Sequence, residues 1–151
     1  MDDKYKDAFV VDGKLALPYQ YFAGEIGSKF LIALRDEQKI LGQRCERCDK
    51  VFIPPRKTCE RCMSDLSEAW VEIGSQGEVT DFTVINYAEP YQPLEPPYVL
   101  ALIKLDGADT PLTHLLCEVD PEQVVRGMRV EAQFADQREG SILDIKYFKP
   151  L

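Results

Sequence analysis

Cys45, Cys48, Cys59 and Cys62 form two Cys-x-x-Cys pairs with ten residues between them. Two such pairs at that separation can close one tetrahedral thiolate site around a metal ion. The pairs share one local sequence, Cys45-Glu46-Arg47-Cys48 and Cys59-Glu60-Arg61-Cys62, as expected of two similar turns gripping an ion from opposite sides. Asp49 to Thr58 holds Pro54-Pro55 and little helical patterning, so the segment reads as a short zinc ribbon. Iron is the alternative ion, since four thiolates suit either metal. Disulfides are disfavoured because Met1 to Lys6 is charged and lacks the apolar stretch of a secretion signal. A thioredoxin-like pair would stand alone at a helix start within a βαβ pattern, which is not found here. Four protein ligands fill the coordination sphere, so the expected metal is structural.

Elsewhere the chemistry is sparse. His114 is the only histidine and Cys117 the only cysteine outside the ribbon. Together they could form a nucleophile and its base. If Leu112 to Val119 is a strand, however, residues three apart point to opposite faces and the two cannot meet. Cys117 then reads as a small core residue and His114 as a sheet-surface or partner-facing side chain. There is no Gly-rich phosphate loop, and no carboxylate pair stands out by its spacing. The expected catalytic set of this chain is therefore empty, as suits a binding or scaffolding protein.

The elements that must position the cysteines are mostly strands. Phe9 to Pro18 has apolar stretches on either side of Asp12-Gly13, a hairpin dipeptide. Ser28 can cap a helix carrying Phe30, Leu31 and Leu34 and ending near Asp36-Glu37. Lys39 to Gln43 is extended. After the ribbon, Ala69 to Ile73, Glu78 to Tyr87, Tyr98 to Leu105, Leu112 to Val119, Met128 to Phe134 and Ile142 to Tyr147 read as strands. Short turns and little helix among them argue for a small closed or partly closed barrel. Pro121 to Val125 has room for one helical turn. Pro90 to Pro97 breaks the sheet as a projecting loop, either a stiff connection or a rigid lip over a partner or ligand. Trp70 is expected in the seam between ribbon and barrel.

The chain has 151 residues and a formal charge of −8, with no apolar run long enough to cross a membrane. Residues 1–63 hold twelve Lys/Arg against ten Asp/Glu, while residues 64–151 hold six against sixteen. The cations concentrate at the ribbon as Lys39, Arg44, Arg47, Lys50, Arg56, Lys57 and Arg61. They offset the thiolate charge, or they offer a docking surface for an acidic partner or a phosphate-bearing ligand. A nucleic-acid-binding protein, with Phe82, Tyr87 and Tyr98 as stacking platforms, is the alternative class. The acidic barrel half would repel phosphates, so no nucleic-acid partner is expected. Reduced thiols and the absence of a targeting segment point to the cytoplasm.

In order, the chain presents an N-terminal helix, Arg44-Cys45-x-x-Cys48, Pro54-Pro55-Arg56, Cys59-x-x-Cys62, Trp70, Gly77-Glu78-Val79 with Phe82-Thr83-Val84, Pro97 to Ile103, and Gly127-Met128-Arg129-Val130. This order resembles the acyl-CoA-associated zinc-ribbon/OB-fold proteins, once catalogued as a domain of unknown function. The resemblance runs from about Gly27 to Pro150. Asp49-Lys50 departs from it where the family often has Gly, but Asp tolerates the left-handed conformation such a turn can need.

The resemblance implies a mainly β chain. Its expected parts are an N-terminal hairpin and helix (1–38), a rubredoxin-like zinc ribbon (39–68) and a five-stranded OB-fold barrel (69–151). It also implies a non-catalytic, required subunit of a thiolase-type acyltransferase complex, or of a related acyl-CoA hydratase or aldolase. The partner would supply the nucleophilic cysteine and oxyanion groups. This chain would shape the acyl-CoA site within a hetero-oligomer. One subgroup serves anaerobic aromatic degradation, where a benzoylsuccinyl-CoA thiolase is built from such a pair; that identity ranks slightly above the acetoacetyl-CoA thiolase assemblies. Arg44, Arg47, Lys50, Arg56, Lys57 and Arg61 are the candidates for docking or for contact with CoA phosphates.

Overall fold

The computed structural model describes residues 13, 17 and 19–151. Apart from Gly13 and Leu17, the hairpin expected over 9–18 lies outside the described residues. Helix α1 spans Gly24–Glu37 and buries Phe30 and Leu34, as the helical spacing predicts, together with Ala33, while Leu31 is only partly buried against the same core. Ser28 does not cap it. The chain already turns helical at Gly24, so Ser28 lies inside the helix, and the residue at the cap position, Ala23, has no side-chain acceptor. At the other end Gln38 takes φ 55°, and Lys39 N–H returns to the Ala33 carbonyl at 3.2 Å.

Three short strands form the ribbon sheet: β1 (Ile40–Cys45), β2 (Lys50–Phe52) and β3 (Trp70–Ile73). Their order is β2-β1-β3, all antiparallel. Trp70 to Ile73 therefore pairs with the strand leading into the first cysteine pair, and the barrel strands begin only at Gln76. The barrel consists of β4 (Gln76–Ile85), β5 (Tyr98–Leu105), β6 (Leu112–Leu116), β7 (Arg129–Phe134) and β8 (Ile145–Pro150). It closes in the order β4-β5-β6-β8-β7. Only β6 and β8 pair in parallel. Five strands ordered one-two-three-five-four, with a parallel third-to-fifth contact, are the OB arrangement.

Two local features shape the barrel. The β4–β5 register slips between Val79 and Asp81, and Thr80 Oγ1 donates to the Leu102 carbonyl at 3.0 Å. This bulge lets one long strand pair with β7 at its start and with β5 along its length. Near the end, the strand expected from Ile142 begins as a 3-10 turn, Ile142–Asp144. The buried Asp144 carboxylate accepts the N–H groups of Glu139 (3.0 Å) and Gly140 (2.8 Å), which holds that turn closed. Pro121–Gln123 is the expected helical turn, capped by Asp120. Pro90 to Pro97 forms no strand.

One core joins all three parts. Phe30 and Leu34 of α1, Ile40, Ile53 and Ile73 of the ribbon, and Val79, Val99, Ile103, Leu112, Val130 and Phe148 of the barrel form a single buried cluster. The β5–β6 turn also acts as an extra edge for the ribbon. Asp109 N–H donates to the Val51 carbonyl (2.8 Å), and its carboxylate accepts Val51 N–H (2.8 Å) and the Lys50 ammonium (2.7 Å). Thr110 Oγ1 accepts Ile53 N–H at 2.8 Å and donates to the Ile53 carbonyl at 2.7 Å. The ribbon is thus hydrogen-bonded to the barrel from Lys50 to Ile53.

Candidate metal centre

Cys45 stands at the end of β1, and Cys48 lies in the turn to β2; Cys59 and Cys62 occupy a matching turn closed by a Thr58–Asp65 bridge. The residue after each pair adopts the left-handed conformation, Asp49 at φ 48° and Met63 at φ 59°. In the second turn Cys59 N–H donates to the Ser64 carbonyl (3.0 Å), and Met63 N–H returns to the Cys59 carbonyl (3.0 Å). The two knuckles share the left-handed residue but not the hydrogen bond that closes them, since Asp49 N–H goes to the Glu46 carbonyl (3.4 Å) where Met63 N–H goes to that of Cys59.

All four Sγ atoms lie within 4.8 Å of one another. Cys45 and Cys62 are 3.5 Å apart, Cys48 and Cys59 3.9 Å. Four sulfurs about 2.3 Å from one ion would sit roughly 3.8 Å apart, so the spacing fits a single tetrahedral ion. Cys45 and Cys59 are buried beside Phe52 and Leu66, while Cys48 and Cys62 are partly covered. By their own interactions the thiols favour one thiolate and oppose the next. The Ser64 hydroxyl, 3.1 Å from Cys62 Sγ, pulls that thiol down to about 6. The neighbouring Cys62 sulfur, then burial, push Cys48 up to about 12. A divalent cation removes this conflict, because it offsets the thiolate charge at the point where the sulfurs converge. Bound there, zinc would supply structural cross-linking of the two knuckles and no open coordination position.

Gln43, absent from the expected set, supports the site. Its fully buried amide on β1 donates Nε2–H to the Leu66 carbonyl at 2.8 Å, tying the strand before the first knuckle to the loop after the second. Gln43 carries no spacing signal, since it acts through a hydrogen bond made across the fold, whereas Ser64 acts locally, its hydroxyl on Cys62 two residues before it and its carbonyl accepting Cys59 N–H.

The basic candidates divide. Arg44 pairs with Asp49, Lys50 with Asp109 and Arg56 with Glu60, so half of the set is already engaged. Lys39 bridges Glu37 and Glu72. Arg47, Lys57 and Arg61 make no ion pair among the described residues. Arg56 and Lys57 border a groove of about 430 Å³ together with Pro55 and the first turn of α1. Trp70 is half-buried on the ribbon sheet beside α1, with Nε1–H donating to the Ser67 carbonyl (2.7 Å) and the Lys29 ammonium 4.5 Å from its ring centroid, and not in the expected seam with the barrel.

His114 and Cys117 stay apart, but not as expected. His114 is buried inside the barrel, not on its surface, edge-on to Phe148 at 5.5 Å. Leu115 N–H donates to Nδ1 (2.9 Å), so the neutral ring carries its proton on Nε2 and donates to the Ile142 carbonyl (3.2 Å). Burial lowers its pKa from the usual 6.5, and both nitrogens are occupied. Cys117 follows the end of β6 and is only partly buried, at the barrel mouth instead of in the core. Burial, then Glu118, raise its thiol pKa. Neither group is prepared as a base or a nucleophile.

Comparison with known proteins agrees with this architecture. The family model for the rubredoxin-like zinc ribbon domain of ChsH2 matches residues 33–67, and that for the C-terminal OB-fold domain of ChsH2 matches residues 70–135. A DUF35 domain-containing scaffold protein of Methanocaldococcus jannaschii is 29% identical over 122 residues, covering 78% of this chain and 86% of that protein. A probable enoyl-CoA hydratase alpha subunit of Thermomonospora curvata is 30% identical over 94 residues, which are 62% of this chain but only 28% of that longer protein. Among solved structures, one described as an Ltp2-ChsH2(DUF35) aldolase superimposes with a TM-score of 0.60 at 27% identity, covering 82% of this chain and 93% of that chain.

Proposed function

The chain belongs to the ChsH2-type zinc-ribbon/OB-fold family, whose two domain models it matches in order, and on that premise we propose that it is a non-catalytic, required subunit of a thiolase-type acyl-CoA acyltransferase complex. The observation that carries this reading is a four-cysteine site with every ligand position filled by protein, beside a histidine and a cysteine that are both unsuited to catalysis. Among the described residues this suits a chain that helps to assemble a site whose chemistry the partner performs. Its relatives point in the same direction. One is described as a scaffold protein, and one similar structure is described as an aldolase containing a ChsH2 (DUF35) component.

In this reading zinc holds the ribbon, and the partner supplies the nucleophile and the oxyanion groups. Arg47, Lys57 and Arg61, the ribbon cations without an ion pair among the described residues, are the side chains available to a CoA phosphate or to an acidic patch on the partner. A benzoylsuccinyl-CoA thiolase is the specific complex we favour. A hydratase or aldolase complex is the second reading, favoured by the similarity to the hydratase alpha subunit and the aldolase structure. Co-expression with a thiolase-like chain from the same genome tests the first. A stable complex is expected, with thiolysis of benzoylsuccinyl-CoA only when both chains are present. Hydration or aldol cleavage by the assembled pair, without thiolysis, would transfer the role to the second reading.

A further inference from the structure

The outer surface of an antiparallel barrel normally alternates towards polar residues, because water covers it. On β5 it does not, although β4 and β6 place Asp81, Thr83 and Thr113 beside it. The inward set Val99, Ala101 and Ile103 fills the core, so their neighbours Tyr98, Leu100 and Leu102 face outward. Leu100 stands opposite Thr83 and Leu115, and Leu102 opposite Asp81 and Thr113. Ile85, opposite Tyr98, extends the same face. Of the charges on this face, Asp81 is already paired with Arg126 and Lys104 stands at the far end of β5. A depression of about 270 Å³ lies at the centre, between residues 81–83, Leu100, Leu102 and Thr113. Leu102 is 37% exposed there.

Next to this face, where β5 begins and β6 ends, the rim is acidic. Glu95 of the proline-rich loop and Asp120 and Glu122 after β6 line two grooves of about 400 Å³ that also contain Tyr98, Val84 and Pro97. Glu118 adds a fourth carboxylate, accepting the Tyr147 hydroxyl. None of the four pairs with a cation among the described residues. Lys146, the cation near this end, lies over the Tyr147 ring.

We infer that this face is the docking surface for the catalytic subunit, through an apolar side chain of the partner seated in the depression and lysines or arginines set around it. The inference rests on the accessory-subunit reading and names its contact. Charge decides the occupant. A second copy docked face to face would bring the same carboxylates to meet these, with sixteen Asp/Glu against six Lys/Arg over residues 64–151. Nucleic acid would be repelled for the same reason. A protein surface with an apolar centre and a basic rim satisfies both the depression and the unpaired acids.

The test is the affinity of the co-expressed thiolase-type chain for wild type, for Leu102→Asp, and for Glu95→Lys with Glu122→Lys. Zinc content and circular dichroism check each fold. Leu102→Asp is expected to weaken the complex about 30-fold or more, the effect of losing a central anchor. The exposed lysine pair cannot disturb the core, and is expected to weaken binding about tenfold in low salt, mainly through slower association. A wild-type complex with both variants binding equally well would overturn the docking face and leave the accessory role standing. No complex with wild type would overturn both. A wild-type homodimer dispersed by Leu102→Asp would make a second copy the occupant and overturn the heterologous partner.

Discussion

Asp49 and Met63 occupy the same place in their knuckles, and both stand at positive φ. A left-handed residue with a long side chain costs about 1–2 kcal/mol relative to glycine at that position. Met63 is also 72% exposed, so it recovers little by packing. Met63→Gly is therefore expected to raise unfolding free energy by about 1 kcal/mol in the zinc-loaded protein, measured by urea titration; a loss would mean that the methionine packs productively. His114 makes a pH prediction. Its pKa is held below the usual 6.5 by burial, so above that value both folded and unfolded chains are neutral there and the full stability is present. As pH falls below 6.5 the unfolded chain takes the proton first, and stability is lost on the way down to the folded value. His114→Gln should flatten the fall in urea midpoint between pH 7.5 and 5.5 relative to wild type, the difference separating this group from the titrating thiols. The four cysteines were legible because metal ligation demands fixed spacing. The burial of His114 was not, because a strand period says which residues share a face but not which face is the inside.

At the scale of elements, the barrel depends on close approach of β4 to β5. A Cβ on Gly77 would meet the Lys104 carbonyl oxygen at 2.4 Å and the Leu105 Cα at 2.8 Å, both backbone atoms that cannot swing away. Gly77→Ala is expected to cost about 3 kcal/mol, near the upper end for overpacking, with loss of cooperative thermal melting the measurement to make. The helical spacing of Phe30 with Leu34 announced α1, and the nearly continuous apolar run from Tyr98 to Leu105 announced β5. The sheet that receives Trp70 to Ile73 was not announced. A four-residue strand pairs wherever an edge is free, and here the free edge belonged to β1. The seam from Lys50 to Ile53 against Asp109 and Thr110 joins positions more than fifty residues apart, which no local pattern reports.

For the whole molecule, the shared core makes the metal a determinant of global stability. Ile40, Ile53 and Ile73 belong both to the ribbon and to the cluster packed under α1 and the barrel. Chelation of zinc should therefore lower the melting temperature of the entire chain in one transition, by more than about 10 °C. Two separate transitions, with the barrel unmoved, would show that ribbon and barrel fold independently. Among the described residues no helix is long and apolar enough to cross a membrane. The family order of motifs carried the architecture at this scale, while the apolar outer face appeared only once strand register fixed which residues of β5 point outward. The proposed role, completing an enzyme whose chemistry lies elsewhere, is tested most directly by reconstitution. The thiolase-like chain is purified alone, this zinc-loaded chain is titrated in, and thiolysis of the acyl-CoA is followed. Activity near zero for either chain alone, rising to a plateau at a fixed ratio of the two, is the predicted result. Full activity of the thiolase-like chain by itself, unchanged by the titration, would contradict it.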